Sequence, residues 1–240
     1  MEKTPEQIRK IQGEELGIQP LRNFFSETEM QQMDQWCQRC YEYPKDSSAH
    51  LFDGSANDWT RHPEETLHSE IEGFFRKKIE PLINPDQRLN LSFRFAFHGN
   101  QKPYGIHTDS GYDPNEVIFQ QGIIPLDYQP SHSDVHTVIL QQKCYHSSAF
   151  PKLSSDKELQ KHVHGITFNH PQMQEDFSKY WQDTEFRRQQ LNGFSIAYPF
   201  LWRRGDTVIW SRSHVHGSSD FEVSGTTFKK GLMWISRLLP

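Results

Sequence analysis

The chain has 240 residues, of which 34% are hydrophobic and 24% charged, enough for one sizeable core and too little for two full domains. A net charge of -5 without any long Lys/Arg run argues against nucleic acid and anionic membranes as partners, and a mean hydropathy of -0.81 with no apolar run near 18 residues excludes an apolar membrane span. Three cysteines and an N-terminus without an apolar leader point to the cytoplasm and to a diffusible small-molecule substrate.

In chain order, the first third is expected to be helical. Ser26 is placed to cap a polar helix over 27–41, and 63–78 predicts a second helix with Leu67, Ile71, Phe74 and Phe75 on its buried side. From Leu89 the period becomes two, with Leu89, Leu91, Phe93, Phe95 and Phe97 alternating with polar or small residues. Further short strands are expected at 104–107, 117–126, 135–141, 206–211 and 227–235, separated by turn residues. Segment 171–191 breaks this rhythm and reads as a helical insertion. The expectation is a mainly β chain with α decoration, a sandwich or jelly roll over 89–240 supported by helices from 1–88, forming one domain over 1–240.

Thirteen histidines focus attention on metal chemistry. His107-Thr108-Asp109 ends a strand, where residues i and i+2 share a face, so an imidazole and a carboxylate can converge on one ion. A triplet this short arises about once by chance in a chain of this length, and His132-Ser133-Asp134 is a second, loop-borne copy. Farther on, Gly205-Asp206, an apolar strand and then His214-Val215-His216-Gly217-Ser218 offer a third ligand. The next strand carries Lys229 and Lys230 into an apolar run, and buried cations need an anionic partner.

These residues resemble the iron(II)- and 2-oxoglutarate-dependent oxygenases, in particular the phytanoyl-CoA-hydroxylase-like branch. The likeness rests on His107-x-Asp109, on Gly205-Asp206 ahead of His216-Gly217-Ser218, and on the basic residue of the following strand. Gly111-Tyr112-Asp113-Pro114, Ile124-Pro125-Leu126 and His136-Thr137-Val138-Ile139 add to it, and it covers Leu89 to the C-terminus. The resemblance implies a double-stranded β-helix, a jelly roll of cupin type. It also implies that His107, Asp109 and His216 ligate Fe(II) as a 2-His-1-carboxylate triad, leaving positions for 2-oxoglutarate and dioxygen. His214 is the rival third ligand, and Gly217-Ser218 favours His216. Lys229, two residues before Gly231-Leu232, is implied as the anchor of the distal cosubstrate carboxylate, with Arg94 and Arg237 next in line.

Thr137 is a further cosubstrate contact on its strand candidate. The retained Asp109 implies hydroxylation or desaturation of a small molecule, with succinate and carbon dioxide released, because halogenating relatives replace that carboxylate. Two other readings are a non-catalytic jelly-roll binding protein and a metal oxygenase that uses no keto acid. Cys37 and Cys40 have zinc-like spacing without a second pair, and His162 and His164 lack an acid nearby, so neither pair is assigned to a metal. Arg94, Arg203, Arg204 and Arg212 are candidates for reading an anionic substrate group.

Overall fold

The computed structural model describes residues 16–42, 65–100, 103, 105–108, 118–130, 134–144, 163–164, 177–181 and 194–239. Helix α1 spans Glu27–Glu42, α2 Glu65–Lys78 and the single turn α3 Glu80–Ile83. The strands are β1 Gln19–Leu21, β2 Leu91–Asn100, β3 Ile118–Gln129, β4 His136–Cys144, β5 Val163–His164, β6 Ile196–Leu201, β7 Thr207–Ser211, β8 His214–Ser218 and β9 Phe228–Leu238. Five of them form a major sheet in the order β1-β7-β3-β9-β2, every pair antiparallel. The minor sheet runs β5-β4-β6, and β8 also pairs with β4.

The N-terminal helices form as expected. Ser26 and Glu29 make a reciprocal cap, the Ser26 amide donating to Glu29 Oε2 at 2.8 Å and the Glu29 amide to Ser26 Oγ at 3.3 Å. Met30, Met33, Trp36, Cys37 and Cys40 recur at helical spacing and are buried, together with Leu67, Ile71 and Phe75 of α2, against Leu91, Phe93, Phe95 and Phe97 of β2. Each such side chain contributes about 1.5–3 kcal/mol by leaving water. The two-residue period of β2 thus directs its aromatics to the helices and its other face to the space between the sheets.

That space is closed by a second cluster containing Ile123, Val208, Trp210 and Met233 from the major sheet and Ile139 and Phe200 from the minor one. A third cluster, Val138, Leu140, Val215, Trp181 and Phe194, covers the outer side of the minor sheet. Of the expected insertion 171–191, residues 177–181 are described. They form a turn in which the Trp181 amide bonds Phe177 O at 2.9 Å, and the Trp181 indole donates to Ser218 O at 2.7 Å.

Three differences from the sequence-based expectation have local causes. No strand is expected from the sequence at β6, which carries Pro199 in its middle. Among the described strands it pairs only with β4, and an edge strand tolerates the missing donor. β1, with Pro20, is likewise unexpected and pairs only with β7. In β3, Pro125 sits at a register shift between Pro125 and Asp127, so the strand runs on to Gln129 instead of ending at 126. No helix among the described residues is long and apolar enough to cross a membrane.

Candidate metal and cosubstrate site

The expected strand 104–107 is, among its described residues, a bridge at one residue. His107 and His216 pair antiparallel, each amide donating to the other's carbonyl at 2.8 Å. Residues opposed in an antiparallel pair project to the same face, and the two imidazoles lie with ring centroids 4.4 Å apart. Their outer nitrogens are spoken for by the backbone. His107 Nδ1 lies 2.7 Å from Gly105 O and His216 Nδ1 3.1 Å from His214 O, so each Nδ1 carries the proton and each Nε2 the lone pair that a metal needs. Gly217 permits the close approach of this segment, since a Cβ there would stand 3.3 Å from Gly105 O and from Ile106 Cα.

His214 shares the strand face of His216 but opposes Lys143 of β4, and its Nδ1 bonds Leu140 O at 2.8 Å. His216 is the histidine that meets His107. Asp109 and His132 lie outside the described residues, and Asp134 of the second HxD is exposed. Among the described residues no group of three metal-ligating side chains occurs, so the pair of imidazoles is the part of the expected triad that the structure places. Their donor set, two neutral imidazoles held on one face, fits a divalent transition metal.

Two residues beyond His216 on the same face, Ser218 Oγ accepts a 2.7 Å hydrogen bond from Lys229 Nζ. Lys229 reaches there from the opposite sheet, crossing the interior at 2% exposure. Its ammonium lies 4.4 Å from the Trp202 ring centroid and 5.1 Å from that of Phe221, and among the described residues it has no carboxylate partner. Burial lowers its pKa from the usual 10.5 to about 7. Thr137 pairs with Ser218 across β4 and β8, and its Oγ1 accepts from the Trp202 indole at 2.9 Å. Trp202 is itself seated over Gly231, where a Cβ would meet its ring at 2.9 Å. Lys229, Ser218, Thr137 and Trp202 therefore form one buried polar cluster next to the histidine pair.

Lys230, of opposite parity, faces the helices and lies 3.7 Å from Asp34 of α1. Arg204 does the same work, bonding Leu126 O at 3.0 Å, Glu27 at 3.1 Å and Asp34 at 2.8 Å, and so fastens α1 to the sheet instead of facing a substrate. The Gly205-Asp206 motif is also an anchor. Gly205 has φ +85°, and buried Asp206 accepts from the Asn23 amide at 2.8 Å and from the Arg22 guanidinium. Cys37 and Cys40 are core thiols of α1, 1% and 8% exposed. Ser218 and Trp202 escaped the sequence reading. For Ser218 the signal existed, since its position two after His216 in a strand puts it on the ligand's face.

No family model matches this chain, and no curated protein matches it. Among solved structures, the epimerase SnoN in complex with Fe3+, alpha ketoglutarate and nogalamycin RO is similar, with TM-score 0.51 and 9% identity over 99% of this chain and 88% of that one. EctD from S. alaskensis with 2-oxoglutarate and 5-hydroxyectoine matches at TM-score 0.49 and 10% identity, over 98% of this chain and 76% of that one. A Pseudomonas putida prolyl-4-hydroxylase matches at TM-score 0.48 and 10% identity, over 96% and 98%. The fold is the one seen in SnoN. It is a double-stranded β-helix, its two antiparallel sheets facing one another across the histidine pair and Lys229.

Proposed function

We propose that this chain is an Fe(II)/2-oxoglutarate-dependent dioxygenase that hydroxylates or desaturates a small molecule, a single domain in which residues 1–88 support the jelly roll of 89–240. The observation that carries the reading is the alignment on β8. One face of a single strand offers His216, paired with His107, and Ser218, paired with a buried lysine that lacks an acid partner among the described residues. A metal site beside a desolvated cation suits a ligand that chelates through one end and presents a carboxylate at the other. Bound there, iron and 2-oxoglutarate supply oxidation of a substrate C–H bond at the expense of dioxygen, with succinate and carbon dioxide released.

The protein's own residues hold and orient. His107 and His216 present Nε2 lone pairs, their tautomers set by Gly105 O and His214 O. Asp109, two residues after His107, completes the ligand set in this reading. Lys229 and Ser218 bind the distal carboxylate, with Thr137 buttressing Trp202, while the Trp202 and Phe221 rings keep water from the ammonium. A lysine gives a point charge where an arginine would give a fork, so Ser218 supplies the second hydrogen bond. The thiol form of Cys37 and Cys40 suits a reducing compartment such as the cytoplasm.

The test is succinate formation from 2-oxoglutarate by protein loaded anaerobically with Fe(II) and then exposed to air. His216→Ala, His107→Ala and Asp109→Ala are each expected to abolish it together with Fe(II) binding, while His214→Ala keeps measurable iron affinity. Iron binding that survives in His216→Ala and is lost in His214→Ala would overturn the ligand assignment. Undiminished turnover in Asp109→Ala would remove the carboxylate from it.

A further inference from the structure

The inner face of the major sheet holds a polar row that the metal and the cosubstrate leave unused. Arg94 of β2 pairs with Ile235 of β9, Ile235 with Gln121 of β3, and Gln121 with Trp210 of β7, so the four stand side by side across the sheet. Gln121 shares the parity of Ile123 and Trp210 that of Val208, residues that fill the space between the sheets. Both are 0% exposed, so a ligand would reach them only by displacing the side chains that cover them. Even so, Nε2 and Oε1 of Gln121 and Nε1 of Trp210 have no hydrogen-bond partner among the described residues. A buried amide with neither end satisfied is costly and uncommon in a native core.

The location of the row links it to the site. The Trp210 ring meets that of His216 edge to face at 5.1 Å between centroids. Lys229 lies six residues from Ile235 along β9, roughly 20 Å at a strand's rise, so the row is at the other end of the interior from the carboxylate anchor. A molecule held against Gln121 and Trp210 would be beside the metal ligands without competing for Lys229.

The donor count names the chemistry. Gln121 offers an N–H donor and a carbonyl acceptor, and Trp210 adds a second donor from the adjacent strand. An amide edge satisfies all three, its carbonyl accepting from Gln121 Nε2 and Trp210 Nε1 while its own N–H donates to Gln121 Oε1. A carboxylate would occupy the donors and set its charge against the Oε1 lone pairs. We infer that this row is the recognition wall for the primary substrate, and that it takes a neutral lactam or carboxamide edge presented between Gln121 and Trp210. The inference rests on the oxygenase reading for the word substrate; the binding surface itself does not depend on it.

Ligand-observed NMR titration of the full chain, loaded anaerobically with Fe(II) and 2-oxoglutarate, tests this with 2-piperidone, N-methyl-2-piperidone and cyclohexanecarboxylate as probes. The wild type is expected to bind 2-piperidone at least tenfold more tightly than either of the others. In Gln121→Leu that preference disappears and the ligand-free protein melts on the order of 3 °C higher, because an unsatisfied polar group has been removed. Gln121→Met carries the same readouts should the leucine variant not fold, and Trp210→Phe, which keeps the ring and removes the N–H, is expected to weaken 2-piperidone binding severalfold. Equal binding of the two lactams, preference for the carboxylate, or a Gln121 variant that melts lower with its lactam preference intact would overturn the inference. Absence of Fe(II)-dependent 2-oxoglutarate binding with the lactam preference retained would instead overturn the oxygenase reading and leave the wall standing.

Discussion

Lys229 and Lys230 are adjacent on β9, and the alternation of the strand sends them into opposite electrostatic settings. On the outer face, Lys230 and Arg204 meet Asp34 and Glu27 of α1, so each cation has an acid within reach and both are partly solvated. On the inner face, Lys229 has a hydroxyl and two aromatic rings, with no acid among the described residues and 2% exposure. A charge compensated by its own fold fastens two layers together. In the proposed oxygenase, one left without an acid among the described residues would hold a place for an anion, at a cost to the unliganded fold.

The largest effect that would break this contrast is on the inner lysine. Lys229→Ala should raise the dissociation constant for 2-oxoglutarate by at least two powers of ten, since removing one partner of a buried ion pair costs about 3–5 kcal/mol, while Lys230→Ala changes it less than about twofold. Isothermal titration of the Fe(II)-loaded protein without oxygen checks both. Equal, small effects would assign the anchor elsewhere, with Arg94 and Arg237 the next residues to vary.

Proton linkage sharpens the same point. With the Lys229 pKa lowered to about 7, the ammonium is in place below that pH, and above it each binding event must take up a proton. Affinity for 2-oxoglutarate should therefore be flat below about pH 7 and fall about tenfold per unit above it. The sign for the ligand-free fold follows from the direction of the shift. Lysine is neutral in both states above its unfolded value of 10.5, and as pH falls from there toward about 7 the unfolded chain binds the proton first, so stability declines over that interval and levels off below it. Titrations and melts at pH 6, 7, 8 and 9 would show a flat profile if Lys229 were not the group involved.

Smaller effects come from what surrounds each lysine. Gly231→Ala puts a methyl where the Trp202 ring stands at 2.9 Å, so it should cost about 1–3 kcal/mol of stability and loosen 2-oxoglutarate severalfold by shifting the ring off Lys229. A denaturant melt alongside the titration separates the two consequences. Least of all, Arg204→Ala should lower stability only slightly, because its pairs with Glu27 and Asp34 are partly exposed, and leave cosubstrate affinity alone. A loss of affinity there would show that the two faces of the sheet are coupled.

Much of the architecture was legible in the linear chain because its signals are local. The Ser26–Glu29 cap, the helical spacing of Met30, Met33 and Trp36, and the alternation of Leu91, Phe93, Phe95 and Phe97 each involve residues within one turn or one strand of each other. The parity of Lys229 and Lys230 was readable for the same reason. The strands that hold Pro20 and Pro199 were not legible, since whether a strand can spare an amide depends on which neighbours it has in the sheet.

For the site, the sequence by itself determined which residue types were available and which of them share a strand face: His214, His216 and Ser218 on β8, Lys229 and Gly231 on β9. Only the tertiary structure decided that His216, not His214, opposes His107, because that choice rests on the register between segments more than a hundred residues apart. It likewise decided that Arg204 fastens α1 and Asp206 the residues that follow β1, and that Gln121 and Trp210 stand together in the interior without a hydrogen-bond partner among the described residues. Hydrogen-bond satisfaction and desolvation are properties of everything that surrounds a group in space, and a linear chain records only the neighbours before and after it.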